Sequence, residues 1–169
     1  MKLVVEKVPD LQSLYVKQLR ILLSAEEVIA MKSLVLREAA YDVDLKQVLD
    51  KHWQDSERQA GRIREMLNRV TDDRQPIKCQ TVYALFDEAE DLIEATVHDT
   101  VRNIAIIAVA RRIKHYELAF YETVRSLAQV TGHNDDARLL EESYREEHDT
   151  LQQLSKVADQ LRSTESRAA

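Results

Sequence analysis

Two glycines and two prolines in 169 residues leave almost nothing to interrupt regular structure. A β-sandwich or barrel needs turn residues about every eight to twelve positions, and alternating βα units need glycine punctuation of their own. Both classes are excluded, and long helices remain. With 44% hydrophobic residues the chain can bury a core.

The apolar spacing predicts where the helices run. Asp10 after Pro9 is placed to cap a helix over residues 11–40, with Leu19, Leu22, Leu23, Ile29 and Leu36 on one face. A short turn with an aspartate cap at 41–44 leads to a second helix over 45–70. The polar stretch 71–76 opens a crossover of about thirty residues with a short helix at 81–95. Asp99 is a candidate cap for a helix over 100–130, which Gly132 ends. Asn134 or Asp135 is a candidate cap for a last helix over 136–161, with a frayed tail from Ser163. Two short-turn hairpins joined by one long crossover predict an all-α, ferritin-like four-helix bundle with an extra short helix, spanning residues 1–169.

The two hairpins are related by a gapless shift of 91 residues, as from Glu26 to Glu117. Leu22 falls on Ile113, Ile29 on Phe120, Leu49 on Leu140, Trp53 on Tyr144 and Ile63 on Leu154. In the same frame Asp55 falls on Glu146. One carboxylate thus sits on each long helix, in two equivalent pairs. Glu26 has Leu22, Leu23, Ile29 and Ala30 one turn away, and Glu117 has Ile113, Phe120 and Tyr121, so both lie on apolar stripes. The stripes of the other two helices turn polar midway, at His52, Asp55, Ser56 and Gln59 and at Ser143, Glu146, Glu147 and Thr150. An uncompensated carboxylate there costs about several kcal/mol, so a metal ion, other cations or shared protons must neutralise the cluster.

Glu26, Asp55, Glu117, Glu146 and His52 are therefore the candidate metal ligands. Carboxylates with an optional imidazole suit iron or manganese better than zinc. A di-iron site of the bundle type adds a histidine three residues after a glutamate on two helices. Here those positions hold Arg58 and Asp149, and His52 lies one turn before Asp55, so the template is incomplete. A metal-free buried polar network is the competing reading.

Other chemistries find no foothold. Two glycines cannot build a phosphate-cradling loop, and no nucleophile-plus-base or Cys/His zinc spacing occurs. A net charge of −6, with Arg111, Arg112 and Lys114 as the one basic cluster, argues against nucleic acid. No run approaches the ~18 apolar residues of a membrane span. The first six residues lack the pattern of a signal peptide. The lone Cys79 excludes an internal disulfide and fits a reducing, cytoplasmic setting.

From Leu11 to about Ala158 the chain resembles the YciF/YciE-like (DUF892) family of bacterial ferritin-like stress proteins. The stretches that carry the resemblance include Leu22-Leu23-Ser24-Ala25-Glu26, His52-Trp53-Gln54-Asp55-Ser56, Ile77-Lys78-Cys79, Lys114 to Tyr121, Gly132-His133 and Glu146-Glu147. The resemblance implies a four-helix bundle, commonly a homodimer, linked to general stress response and without a settled activity. Two departures fall on the candidate site. The family pattern His-x-x-Glu-Thr ends here in Asp55-Ser56, and the family glutamate three residues before Glu117 is Lys114. The expectation is that the Lys114 ammonium pairs with Glu117 or a neighbour and partly replaces metal charge. Two functions follow: a stress-associated bundle with a degraded iron or manganese centre, or a non-catalytic structural protein. The second would assemble through the crossover helix (Val82, Leu85, Phe86) or the apolar start of the 100–130 helix.

Overall fold

The computed structural model describes residues 7–168, with side chains described through Ser163. Five helices follow in order: α1 (Leu11–Ala39), α2 (Val43–Val70), α3 (Gln80–Ala95), α4 (Asp99–Val130) and α5 (Asn134–Ala168). Among the described residues there is no strand, and no helix is long and apolar enough to cross a membrane. α1 packs along α2 and α4 along α5, and the two hairpins join through α1 against α4 and α2 against α5. α3, in the crossover, lies over α1 and α4. The expected two-hairpin bundle with one long crossover is present.

Local chemistry sets the helix ends. The Asp10 carboxylate accepts from the Ser13 amide at 2.7 Å, and Asp42 accepts from Leu45 at 2.8 Å, so α2 begins two residues earlier than expected. Asp99 is not a cap. His98 holds that position without a side-chain bond, and Asp99 is the first helical residue, where its charge faces the positive end of α4. Neither Asn134 nor Asp135 delays α5, which starts at Asn134 and continues to Ala168 through the stretch expected to fray. The signal-peptide reading concerns residues outside those described.

The crossover is stitched to α1. Arg20 Nε donates to the Gln75 carbonyl at 2.7 Å, the Ile77 amide donates to the Arg20 carbonyl at 3.1 Å, and the Cys79 amide donates to Ser24 Oγ at 3.2 Å. The apolar face of α3 then packs inward, with Val82 and Phe86 buried beside Ile106 and Ile107 of α4. The two surfaces proposed for assembly are therefore largely core. Cys79 is buried, with its sulfur 3.1 Å from the Tyr116 hydroxyl.

The apolar interior comes in two blocks. One gathers Val28, Ile29, Leu36, Leu45, Leu49, Phe86, Ile106, Ile113 and Leu154. The other gathers Tyr15, Leu19, Leu22, Ile63, Met66, Tyr121, Val124 and Leu140. At the far end of the second block, the Tyr15 hydroxyl donates to Asp136 at 2.7 Å, and Arg69 bonds the other oxygen of the same carboxylate. This buried latch ties α1, α2 and α5 together.

The two glycines separate two physical effects. Gly132 has φ +83° after α4, where His133 N donates to the Ala128 carbonyl at 2.8 Å, and a methyl group there meets nothing within 4 Å. Gly61 is inside α2 with equally open space. Gly132→Ala is expected to destabilise by about 1–2 kcal/mol through backbone strain alone. Gly61→Ala is expected to stabilise by about 0.5–1 kcal/mol through helix propensity. Urea midpoints of the two variants check this; shifts of the same sign contradict it.

Candidate metal centre

Between the two apolar blocks lies a polar layer contributed by four helices. Glu26 comes from α1, His52, Ser56 and Gln59 from α2, Lys114, Glu117 and Tyr121 from α4, and Glu147 from α5. Glu26, Lys114, Glu117 and Glu147 are fully buried. The helical period explains the convergence: each residue continues the apolar stripe of its own helix through the bundle centre.

The Lys114 ammonium is the hub. It lies 2.8 Å from Glu117 Oε2 and donates to Glu147 Oε2. The expected pairing of Lys114 is present. Burial works against the charged lysine, but the two carboxylates outweigh it and hold its pKa above the ordinary value. Burial pushes both Glu117 and Glu147 upward, and Lys114 partly offsets the shift. Tyr121 donates its hydroxyl to Glu26 Oε1 at 2.7 Å. His52 is buried, and burial followed by the Lys114 charge pushes it down to about 3, so it is a neutral imidazole. Its Nδ1 lies 3.4 Å from Ser33 Oγ, and its Nε2 lies 3.7 Å from Glu117 Oε2. The tautomer with Nδ1–H donating to Ser33 leaves the Nε2 lone pair facing Glu117.

Not all the predicted ligands reach this layer. Glu26, Glu117 and His52 do. Asp55 is buried but sits at the edge of the α2–α5 seam, where Lys51 bonds one oxygen and Arg58 the other at 2.6 Å. Glu146 is turned further out. Arg62 grips it with two bonds of 2.8 and 3.0 Å, and Arg58 lies 3.0 Å away. Burial raises the Glu146 carboxyl, yet the bonds from Arg62, Gln59 and Arg58 hold it below the ordinary range. Its neighbour Glu147 is the inward residue.

The reason is helical phase. Leu140, Ser143, Thr150 and Leu154 are buried in steps of three and four, and Glu147 completes that series while Glu146 lies about 100° around the helix. Matching acid to acid across the repeat selected Glu146, whereas the stripe itself marks Glu147. The repeat partner of Glu147 is Ser56, buried but uncharged. Gln59 joins rim and interior, its amide donating to Glu146 at 3.0 Å and to Glu147 at 2.7 Å.

The arrangement suits a cation. One donor atom each from His52, Glu117 and Glu147 lie within 4.8 Å of one another. Glu26 Oε2, His52 Nε2 and Glu117 Oε1 are buried without a hydrogen-bond partner, while Glu117 Oε2 is held by Lys114. Buried polar atoms are seldom left so, and orphaned oxygens with a neutral imidazole nitrogen are what a divalent ion takes up. The donor set fits iron or manganese.

Burial, then the charges of Glu117 and Glu147, push Glu26 well above its ordinary value of 4.5. A raised carboxyl favours folding below the unfolded pKa, and that contribution is lost as pH rises toward the folded value. Glu26→Gln cannot ionise. In chelator it is expected to be more stable than wild type at about pH 8, with the difference shrinking at about pH 5. Denaturant midpoints at both pH values measure this; a difference that grows on acidification contradicts it.

Over residues 10–167 the chain matches the family model described as Domain of unknown function (DUF892). It is 32% identical over 136 residues to the protein YciF of Escherichia coli K12, which covers 80% of this chain and 82% of that protein. The crystal structure of the E. coli stress protein YciF is similar with a TM-score of 0.87 and 28% identity, over 91% of this chain and 98% of that one. YcfI, a candidate structural protein from Rhodopseudomonas palustris, is similar with a TM-score of 0.86 and 26% identity, over 90% and 98%. With its helices, its repeat and its sequence in agreement, this chain belongs to the DUF892 family of YciF-like proteins.

Proposed function

We propose that the protein is a stress-associated helical bundle that holds iron or manganese weakly in the polar layer between its two apolar blocks. One observation carries the reading: His52 Nε2, Glu117 and Glu147 converge within 4.8 Å, and His52 Nε2, Glu117 Oε1 and Glu26 Oε2 are left without a partner. A fully dry structural core has no reason to leave its acceptors unpaired. The stress link is supported by the similarity to the stress protein YciF.

His52, Glu117 and Glu147 would hold the ion, with Glu26 beside them. Such an ion supplies one-electron chemistry toward dioxygen or peroxide when bound. The protein's own part is to keep His52 neutral by burial and to hold a hydrogen bond between Tyr121 and Glu26. The apolar blocks on either side keep bulk water away. The proposal includes a homodimer in the cytoplasm. Exposed Met31 and Leu34 beside half-buried Trp53 support the first, and a lone free cysteine supports the second.

A non-catalytic structural bundle is the second reading, favoured by Lys114, which already bridges Glu117 and Glu147. Metal analysis separates the two. Protein purified without chelator and then loaded anaerobically is expected to retain iron or manganese. Glu147→Gln is expected to lower retention at least about tenfold, as loss of a liganding charge does, while Glu146→Gln leaves it unchanged. Equal retention by Glu147→Gln rejects the site, and failure of wild type to load leaves the structural reading.

A further inference from the structure

The centre expected from the repeat has two equivalent halves, and a pair of ions needs donors from both. The structure supplies only one complete half. In the α4–α5 hairpin, Glu117 and Glu147 both face inward. In the α1–α2 hairpin, Glu26 faces inward, but the counterpart of Glu147 is Ser56, which brings a hydroxyl and no charge. The nearby acids that could make up the deficit are taken. Lys51 and Arg58 occupy both oxygens of Asp55, and Arg62, Arg58 and Gln59 occupy Glu146.

The second asymmetry is Lys114, whose counterpart in the other hairpin is the apolar Leu23. Its ammonium is fully buried and lies against Glu117 and Glu147, on the carboxylate oxygens a second ion would need. When a bound cation draws the protons from all three carboxyls, Glu26, Glu117 and Glu147 with the Lys114 ammonium leave two negative charges in the layer. One divalent ion cancels them. A second would leave two positive charges in a buried site with no further counterions, a placement that costs about several kcal/mol per uncompensated charge.

We infer that this layer is a one-ion centre in which the Lys114 ammonium stands permanently in the place of the second metal. The inference rests on the metal-binding reading above. The ion sits with His52, Glu117 and Glu147, and Glu26 with its Tyr121 bond completes the charge balance without a second cation. Lys114 is a positioning residue: it holds the two glutamates together and limits how many ions they accept.

The experiment is anaerobic titration of the full chain with Mn(II), with stoichiometry from equilibrium dialysis and elemental analysis, and electron paramagnetic resonance of the loaded protein. Wild type is expected to bind one ion per chain with the six-line signal of an isolated Mn(II). Lys114→Glu, which restores a fourth carboxylate, is expected to bind two and to show the broadened signal of a coupled pair. Lys114→Met, which removes the charge but keeps the bulk, guards against misfolding of the glutamate variant. It is expected to bind one ion at least about tenfold more tightly, because the ion no longer competes with an ammonium for Glu117 and Glu147. Two ions in wild type, or a Lys114→Met affinity no higher than wild type, overturns the one-ion inference and leaves the metal reading standing; uptake by Lys114→Glu alone rejects the metal reading of the wild-type chain. No ion in any of the three rejects the metal reading itself.

Discussion

A single buried ammonium organises the polar layer through the middle of this bundle. Glu26, Glu117 and Glu147 converge between the two apolar blocks, and none of the three is exposed. Three unpaired carboxylates in that setting would cost more than a domain's net stability provides. Lys114 lowers the cost by reaching Glu117 and Glu147 together. What it does not neutralise is eased by the Tyr121 hydroxyl on Glu26 and by the upward shifts of the three carboxyls, which favour protonation. The apolar blocks above and below are ordinary helical packing.

Outside that layer the charges behave differently. Asp55 and Glu146 sit at the α2–α5 seam among Lys51, Arg58 and Arg62, where the cations are between one-fifth and one-half exposed. Water shares the cost of charge there, and the two-bonded Arg62 guanidinium with Arg58 and Gln59 holds Glu146 below the ordinary carboxylate range. Gln59 is the link between the two regimes, since one amide group donates to both Glu146 and Glu147. Adjacent residues in one sequence pair, Glu146 and Glu147, therefore have pKa values moved in opposite directions by their surroundings.

Much of this was legible in the chain itself. The near absence of glycine and proline required long helices, and the 3.6-residue pattern placed all five within a few residues of where they lie, apart from the extension of α5. Asp10 and Gly132 act as their chemistry requires, because a short acidic side chain and a residue without Cβ are the cheapest solutions at those positions. The repeat located Glu26 and Glu117 on buried faces, and the lysine beside Glu117 announced its pairing. The Tyr15–Asp136–Arg69 latch was not legible: its members are separated by up to 121 positions, and nothing in local periodicity reveals that an aspartate in a first turn faces inward. The inward packing of α3 was equally hidden, since a short amphipathic helix reads the same whether its apolar face meets its own bundle or a partner.

The chain alone determined the secondary structure, the doubled-hairpin plan and the presence of acids on the core stripes, since these depend on propensities and periods that act over a few residues. Only the tertiary structure decided which acid of an adjacent pair enters the layer. A step of one residue turns a side chain by about 100°, and the partner helix then selects the face. It also decided that His52, Glu117 and Glu147 share one small space with Lys114 while Asp55 and Glu146 are held at the edge by arginines. Long-range packing brings those charges within a few ångströms, and at that distance burial and Coulomb forces, which no local sequence pattern encodes, set the chemistry.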